Sequence, residues 1–220
     1  MFASNVDRWL WWDWISRNSD LITSSLKEHV ILTVAAVGLG LLIALPLGVA
    51  ATRWPRLYGP SLAVTGILFT IPSLAAFAFL IPYTGLSRTT ALIPLTSYTL
   101  LILLRNVVAG LTAVPDEIKD AADGMGFSRA RRLVRIELPL ALPAIMAGLR
   151  IATVTIVGLT AVAGLLAIPS LGNLIYIGQN RPIRTAVTVG IALSIILAVA
   201  ADLLLGLVQR LLTPWARSRG

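Results

Sequence analysis

The sequence contains no cysteine and only one histidine, His29, among its 220 residues. Without thiols the chain forms no disulfide and carries out no thiolate chemistry, and nearly every transition-metal site lacks its ligands. Glu28 precedes His29 at the start of an apolar run, where we expect the imidazole at the membrane interface rather than in a catalytic pair. The sequence therefore predicts no catalytic residue, no metal site and no cofactor site in this chain.

Charged side chains are also scarce. They make up 13% of the residues, against 57% for hydrophobic residues, and the mean hydropathy is +0.86. These values are typical of polytopic membrane proteins. The formal net charge is +8, but the cations lie in short loops between apolar runs, so membrane topology explains them better than binding to nucleic acid.

Apolar runs long enough to cross a bilayer recur along the chain. A transmembrane helix requires roughly 20 such residues. The expected spans are 30–52, 60–80, 90–114, 140–168 and 185–212. Prolines and glycines predict a turn at 82–85 and argue against a further span at 170–184, which we expect to form a re-entrant or a surface loop. The predicted fold is an all-α, polytopic helical bundle of about five spans.

The chain is expected to divide into three parts. Residues 1–27 contain a tryptophan-rich stretch interleaved with aspartate and arginine, which predicts an amphipathic helix lying at the bilayer surface. They also lack the basic start and apolar run of a cleavable signal, so we expect insertion through the internal spans. Residues 28–214 would form the membrane domain and residues 215–220 a short cytoplasmic tail.

The distribution of cations predicts the orientation, because lysine and arginine are enriched in cytoplasmic loops. Placing the polar loop 115–139 inside puts ten cations on that side and six on the other. The inner ten are Arg53, Arg56, Lys119, Arg129, Arg131, Arg132, Arg135, Arg210, Arg217 and Arg219, and the outer six are Arg8, Arg17, Lys27, Arg88, Arg181 and Arg184. The sequence thus predicts an N-terminus outside and a C-terminus inside the cell.

The loop 115–139 is a polar, arginine-rich island in an apolar chain. Pro115 at a first helical position, followed by two acidic residues, predicts the start of a short helix. Gly124 and Gly126 would end this helix, and Ser128 is a plausible N-cap for a second one. We expect Pro139 to terminate or kink the second helix at the entry to the fourth span.

The spacing in this loop resembles the permease motif of binding-protein-dependent ABC importers: Glu-Ala-Ala, three residues, Gly, nine residues, Ile, one residue and Leu-Pro. The matching residues are Asp120, Ala121, Ala122, Gly126, Ile136, Leu138 and Pro139. Aspartate in place of glutamate keeps the charge and shortens its reach. The resemblance implies the type I importer permease fold, with this loop, including Gly124, as the coupling loop that seats in a cleft of a cytoplasmic ATPase.

Softer motifs elsewhere look like the osmoprotectant subgroup of that family. They are the segments 70–75, 103–106, 110–111, 124–126 and 171–175. The resemblance implies import of glycine betaine, choline, carnitine or proline betaine. A permease for another small solute, such as methionine, stays open as an alternative, and so does a membrane scaffold that recruits a soluble partner without transporting anything.

The resemblance also implies partner chains. A phosphate-binding Gly-rich loop requires a lysine before serine or threonine, and the two lysines, Lys27 and Lys119, precede acidic residues. Two cytoplasmic ABC ATPases, which bind ATP and Mg²⁺, a second permease, identical or sister, and an extracytoplasmic solute-binding protein would complete the transporter in a bacterial cell membrane.

Three charged residues, Arg105, Arg150 and Asp202, fall inside the expected spans at comparable depth. Charges at the bilayer centre cost about 2.5 to 3.5 kcal/mol on insertion scales, so they normally face a partner or a wet cavity. They would either line the translocation path or gate, or tie the third, fourth and fifth spans together. Pro72 lies within the second span, where its missing N–H predicts a kink that could serve a gate.

Overall fold

The computed structural model describes residues 9–181 and 183–215, and within these ranges the chain is helical with no β-strand. The helices are α1 (Trp12–Arg17), α2 (Ser19–Arg53), α3 (Pro55–Thr70), α4 (Ser73–Thr84), α5 (Arg88–Thr112), α6 (Asp116–Gly124), α7 (Arg129–Arg132), α8 (Leu138–Ala163), α9 (Leu171–Asn180) and α10 (Arg184–Leu212). A π-helical turn at Leu133–Glu137 joins α7 to α8, and a 3₁₀ turn at Gly164–Leu166 follows α8. The all-α expectation is confirmed.

Four helical stretches in the described part of the chain are long and apolar enough to cross a membrane. They are α2, α5, the continuous stretch Arg129–Leu166 and α10. A fifth span results if α3 and α4, which meet at an angle of 87°, are counted as one. The expectation of about five spans is therefore confirmed.

The second expected span, 60–80, is not one helix. It breaks after Thr70, because Pro72 supplies no backbone N–H and forces Ile71, before it, into an extended conformation with ψ of 125°. The expected turn at 82–85 is also wrong, since α4 continues through Pro82 to Thr84. Only Gly85 leaves the helix there, with φ of +68°.

Helices α2, α5 and α8 form the centre of the bundle. Gly48 of α2 faces Val107 of α5, and Gly148 of α8 faces Asn106 of α5, so closely that a Cβ on either glycine would lie 2.4 Å from its neighbour's side chain. Small residues of this kind allow helices to pack at short distance in membranes. The largest buried side chains around them include Leu32, Phe77, Leu95, Leu103, Leu104 and Ile156.

The segment 170–184 contains the ten-residue helix α9, which is too short to cross a bilayer. It packs against α10 and the end of α8. Gly172 lies so close to α8 that a Cβ there would be 1.7 Å from the carbonyl oxygen of Ala161. Pro182, in the same segment, lies outside the described residues.

His29 is buried inside the bundle, and the expectation that it lies at the interface is wrong. Its Nδ1 accepts a hydrogen bond from the backbone N–H of Leu171 at 3.2 Å, and its Nε2 lies 3.0 Å from the carbonyl oxygen of Val157. Both ring nitrogens have backbone partners, which removes the cost of burying them. The imidazole therefore joins α2 to α8 and to the start of α9.

The tryptophan-rich stretch forms α1, which lies against the bundle as well as presenting an exposed face. Trp14 packs in an apolar cluster with Leu171 and Ala186, while Trp12 is exposed. Helix α2 starts directly afterwards, at Ser19. Residues 1–8 of the expected N-terminal segment and 216–220 of the expected tail lie outside the described residues.

Candidate coupling site and in-span charges

Helix α6 begins the loop 115–139, the candidate coupling loop, which is called the coupling loop below. Pro115 was expected at the first helical position, but it is the N-cap, one residue earlier. Asp116 and Glu117 occupy the first turn. Lys119 Nζ donates to Asp116 Oδ1 at 2.9 Å. This hydrogen bond lowers the pKa of the Asp116 carboxyl below its ordinary value. The Asp116 carboxylate therefore stays ionised and complements the positive end of the helix dipole.

A glycine turn separates α6 from α7. Helix α6 ends at Gly124, and Gly126 has φ of +78°, a conformation that favours glycine. The N–H of Phe127 donates to the carbonyl oxygen of Ala122 at 3.1 Å, which closes the end of the helix. Ser128 then caps α7 by accepting from the N–H of Arg131 at 3.4 Å. The expected helix end and N-cap are both confirmed.

The motif residues divide between the surface and the interior. Ala122 is only 1% exposed, so it offers no surface to a partner. Ile136, Leu138 and Pro139 are half-buried. The other motif residues are exposed and, together with the exposed Met125, form what we call the coupling surface: Asp120, Ala121, Gly124, Met125 and Gly126.

Arg132 ties the coupling loop to the fourth span. Its Nε donates to Glu137 Oε1 at 2.7 Å, and its Nη1 forms an ion pair with Asp123. One guanidinium thus holds the end of α6 against the π-helical turn. Sequence reasoning missed this cluster, because separations of five and nine residues follow no helical period and give no signal of contact.

Pro139 does not terminate the helix, and that part of the expectation is wrong. The chain stays helical from Arg129 to Leu166, and Pro139 lies in the first turn of α8. The irregularity is instead the π-helical turn Leu133–Glu137 that precedes it. A wider turn accommodates a proline ring, which would otherwise clash with the carbonyl of residue 135, four positions earlier.

The in-span charges do not form one group. Arg150 of α8 binds Asp202 of α10 through two parallel hydrogen bonds, Nε to Oδ1 and Nη2 to Oδ2, each of 2.8 Å. A bidentate pair of this geometry is the strong form of an ion pair. Arg105 has no hydrogen bond or ion pair within the described residues and lines a separate open cavity with Tyr58. The possible pairing of Asp202 with Arg105 is therefore wrong, and that with Arg150 is present.

Pro72 lies beside an apolar cavity at the break between α3 and α4. The cavity has a volume of about 570 Å³, with Ile71, Phe79 and Tyr98 in its wall. The Tyr98 hydroxyl donates to the carbonyl oxygen of Ile71 at 2.8 Å, which satisfies the backbone where the helix is interrupted. An aromatic residue within the third span gave no sequence signal for this role.

The described residues thus form a multi-span helical bundle in which Arg132 anchors the loop 115–139 to the fourth span. Residues 36–217 match the family described as "Binding-protein-dependent transport system inner membrane component". The chain belongs to this family of transporter permease subunits.

Similar proteins cover most of the chain. The choline transport system permease protein OpuBB of Bacillus subtilis (strain 168) is 36% identical over 192 residues, which are 87% of this chain and 88% of that protein. The glycine betaine/carnitine/choline transport system permease protein OpuCD of the same strain is 34% identical over 206 residues, or 93% and 90% of the two chains.

A solved structure shares the fold. The inward-facing MetNI methionine ABC transporter matches with a TM-score of 0.78 at 24% sequence identity, over 90% of this chain and 98% of that one. The similarity at this identity concerns the architecture alone.

Proposed function

We propose that this chain is the permease subunit of an ATP-driven importer of osmoprotectants, such as glycine betaine, choline, carnitine or proline betaine. The observation that carries the proposal is the 36% identity over 87% of the chain to a choline permease. Further relatives named for carnitine or glycine betaine transport have 34% identity over most of the chain. These solutes share a quaternary ammonium group, which defines the substrate class.

The assembly proposed for it contains two cytoplasmic ATPases, a second permease and an extracytoplasmic solute-binding protein. One chain offers one coupling surface, so two ATPases require two permeases, either identical or sister chains. ATP and Mg²⁺ would bind to the ATPases, because neither lysine of this chain lies in a phosphate-binding loop. The complex would sit in the bacterial cell membrane with the N-terminus outside and the coupling surface inside.

The contacts of the coupling loop suggest how movement would reach the spans. Closure of the ATPases would displace the coupling surface, and the ion pairs of Arg132 would pass the displacement to the π-helical turn and α8. The pair of Arg150 and Asp202 would carry it on to α10. We assign this pair a structural role as a tie between spans.

We propose that the gate includes the break in the second span and Arg105. The break at Pro72 interrupts a span beside an apolar cavity, and Arg105 lacks a partner among the described residues. An unpaired in-span cation favours a wet surface. A pathway between two permease copies would supply that water, so Pro72 and Arg105 would line it.

Reconstitution tests the proposal. The permease, its ATPase and its binding protein are placed in proteoliposomes, and ATP-dependent uptake of labelled choline, glycine betaine and carnitine is compared with that of methionine. We expect uptake of at least one osmoprotectant and none of methionine. Uptake of methionine alone would assign the chain to the methionine type, and a bound ATPase without any uptake would assign it to the scaffold class.

A further inference from the structure

Two adjacent cavities meet at the end of the bundle that carries the coupling loop. One is polar, has a volume of about 410 Å³ and lies between the ends of α2 and α5 and the loop. The other is an open groove of about 750 Å³ with mainly apolar walls along α2 and the start of α8. The two share four lining residues, Val49, Arg53, Arg129 and Leu133. They therefore form one continuous site with a polar end and an apolar end.

The polar end carries unneutralised positive charge. The carboxylates of Asp123 and Glu137 line it, and both form ion pairs with Arg132. Arg53 and Arg129 have neither a hydrogen bond nor an ion pair with any described residue, although they line both cavities. Two free guanidinium groups that line the same cavity are suitable partners of a phosphate.

The apolar end has the shape and chemistry of a lipid contact. Leu45, Pro46 and Leu138 line it, and the groove follows α2 from Leu45 to Arg53, roughly 12 Å at ~1.5 Å per residue. Trp54, 59% exposed, stands beside the arginines, where an indole ring suits the headgroup region. An acyl chain fits such a groove, whereas a free inorganic anion would leave its walls uncovered.

We propose that this groove binds one anionic phospholipid of the cytoplasmic leaflet. Its phosphate would lie between Arg53 and Arg129, and one acyl chain would run along Leu45 and Leu138. Basic pockets between helices on the cytoplasmic side of a membrane are suited to anionic headgroups. Since Arg129 follows the N-cap of α7, the lipid would bridge the end of α2 to the base of the coupling loop.

Native mass spectrometry of the assembled transporter tests the site. The complex is incubated with equal amounts of phosphatidylglycerol and phosphatidylcholine of identical acyl chains, and the retained lipid is identified. We expect about a tenfold preference for phosphatidylglycerol, since each arginine near a membrane surface favours an anionic lipid several-fold. The double variant Arg53→Gln with Arg129→Gln should lose the preference.

Matched variants separate this site from general surface charge. Arg56→Gln removes a cation three residues from Arg53 that lines neither cavity, so it should keep the preference. Arg53→Lys with Arg129→Lys retains both charges and should keep most of it. The proposal would be overturned if the double glutamine variant kept its preference for phosphatidylglycerol. It would also be overturned if Arg56→Gln lost that preference equally.

A photoactivatable phosphatidylglycerol provides a test on the wild-type complex, which serves even where the double variant fails to fold. We expect crosslinked peptides from residues 45–54 and 129–138, and excess inorganic phosphate should leave the crosslinks in place. Crosslinks confined to other segments, or absence of a preference for the anionic lipid in the wild type, would refute the site. Displacement by inorganic phosphate would show instead that the arginines bind a free anion.

Discussion

Substitutions test this structure most directly at residues that have an unusual backbone conformation or make a buried contact. Gly126 has φ of +78°, so a β-branched residue there strains the turn between α6 and α7 by about 1–3 kcal/mol. We expect Gly126→Val to abolish uptake while the protein still inserts, because the coupling surface loses its shape. Gly126→Asn should retain more activity, since asparagine tolerates this conformation.

Gly38 provides the control for the Gly126 variants. It lies in α2 with open space around the position of a Cβ, so Gly38→Val should change uptake little. Uptake is measured in proteoliposomes and normalised to the inserted protein. Wild-type uptake by Gly126→Val would remove this turn from the coupling mechanism.

Asp202 should be energetically coupled to one arginine and not to the other. Asp202→Ala leaves Arg150 without its bidentate partner, so we expect a lower melting temperature and partial recovery when Arg150→Leu is added. Arg105→Leu combined with Asp202→Ala should be additive, because the two residues are not in contact. Thermal unfolding in detergent measures both cycles, and coupling to Arg105 instead would contradict the observed pairing.

His29 should contribute to stability rather than to transport chemistry. His29→Leu leaves the Leu171 N–H and the Val157 carbonyl without their partner, at a cost of about 1–3 kcal/mol. Chemical unfolding should register this loss, and the start of α9 should exchange its amide hydrogens faster. Unchanged stability and exchange would show that the imidazole does not hold α9 in place.

Individual residues were predictable where a local motif fixes them and unpredictable where the partner is distant. The helix end at Gly124 and the N-cap Ser128 followed from turn chemistry, which acts over a few residues. His29 bonds to Val157 and Leu171, more than a hundred positions away, and hydropathy carries no information on such contacts. The two carboxylates bound by Arg132 are near in sequence, but separations of five and nine residues follow no helical period and gave no signal either.

At the scale of elements, the interrupted second span depends on Tyr98 of the third. Tyr98→Phe removes the hydrogen bond to Ile71, so we expect a loss of about 1 kcal/mol in the free energy of unfolding. Tyr83→Phe is the matched control, because Tyr83 is 74% exposed. Equal effects of the two variants on chemical unfolding would mean that the hydroxyl of Tyr98 does not support the break.

Element boundaries were predicted well for the third and fifth spans and less well for the other spans. The spans 90–114 and 185–212 correspond to α5 and α10 within two residues at each end. Length and hydropathy cannot distinguish a straight span from one that turns through 87°, so the break at Pro72 was underestimated as a kink. The π-helical turn before Pro139 was missed. Its backbone hydrogen bonds join residues five apart instead of four, and this change produces no sequence pattern of its own.

The orientation of the whole molecule is open to direct measurement. The chain has no natural cysteine, so one placed at Ser128 or at Leu86 is the sole labelling site. We expect Ser128→Cys to react with an impermeant maleimide only after the cytoplasmic side is exposed, and Leu86→Cys to react in intact cells. Both positions are exposed in the structure, and labelling of Ser128→Cys in intact cells would invert the topology.

The length of α2 has a consequence for the membrane that surrounds the protein. Its 35 residues measure roughly 52 Å at ~1.5 Å per residue, whereas the hydrocarbon core is about 30 Å thick. A helix that long must tilt steeply or project from one leaflet by several turns. The apolar run within it, residues 30–52, measures roughly 34 Å at ~1.5 Å per residue and is close to the thickness of the core. The first eleven residues of the helix, which include Asp20, Lys27 and Glu28, would therefore extend roughly 16 Å beyond the core and hold charged side chains in the headgroup region.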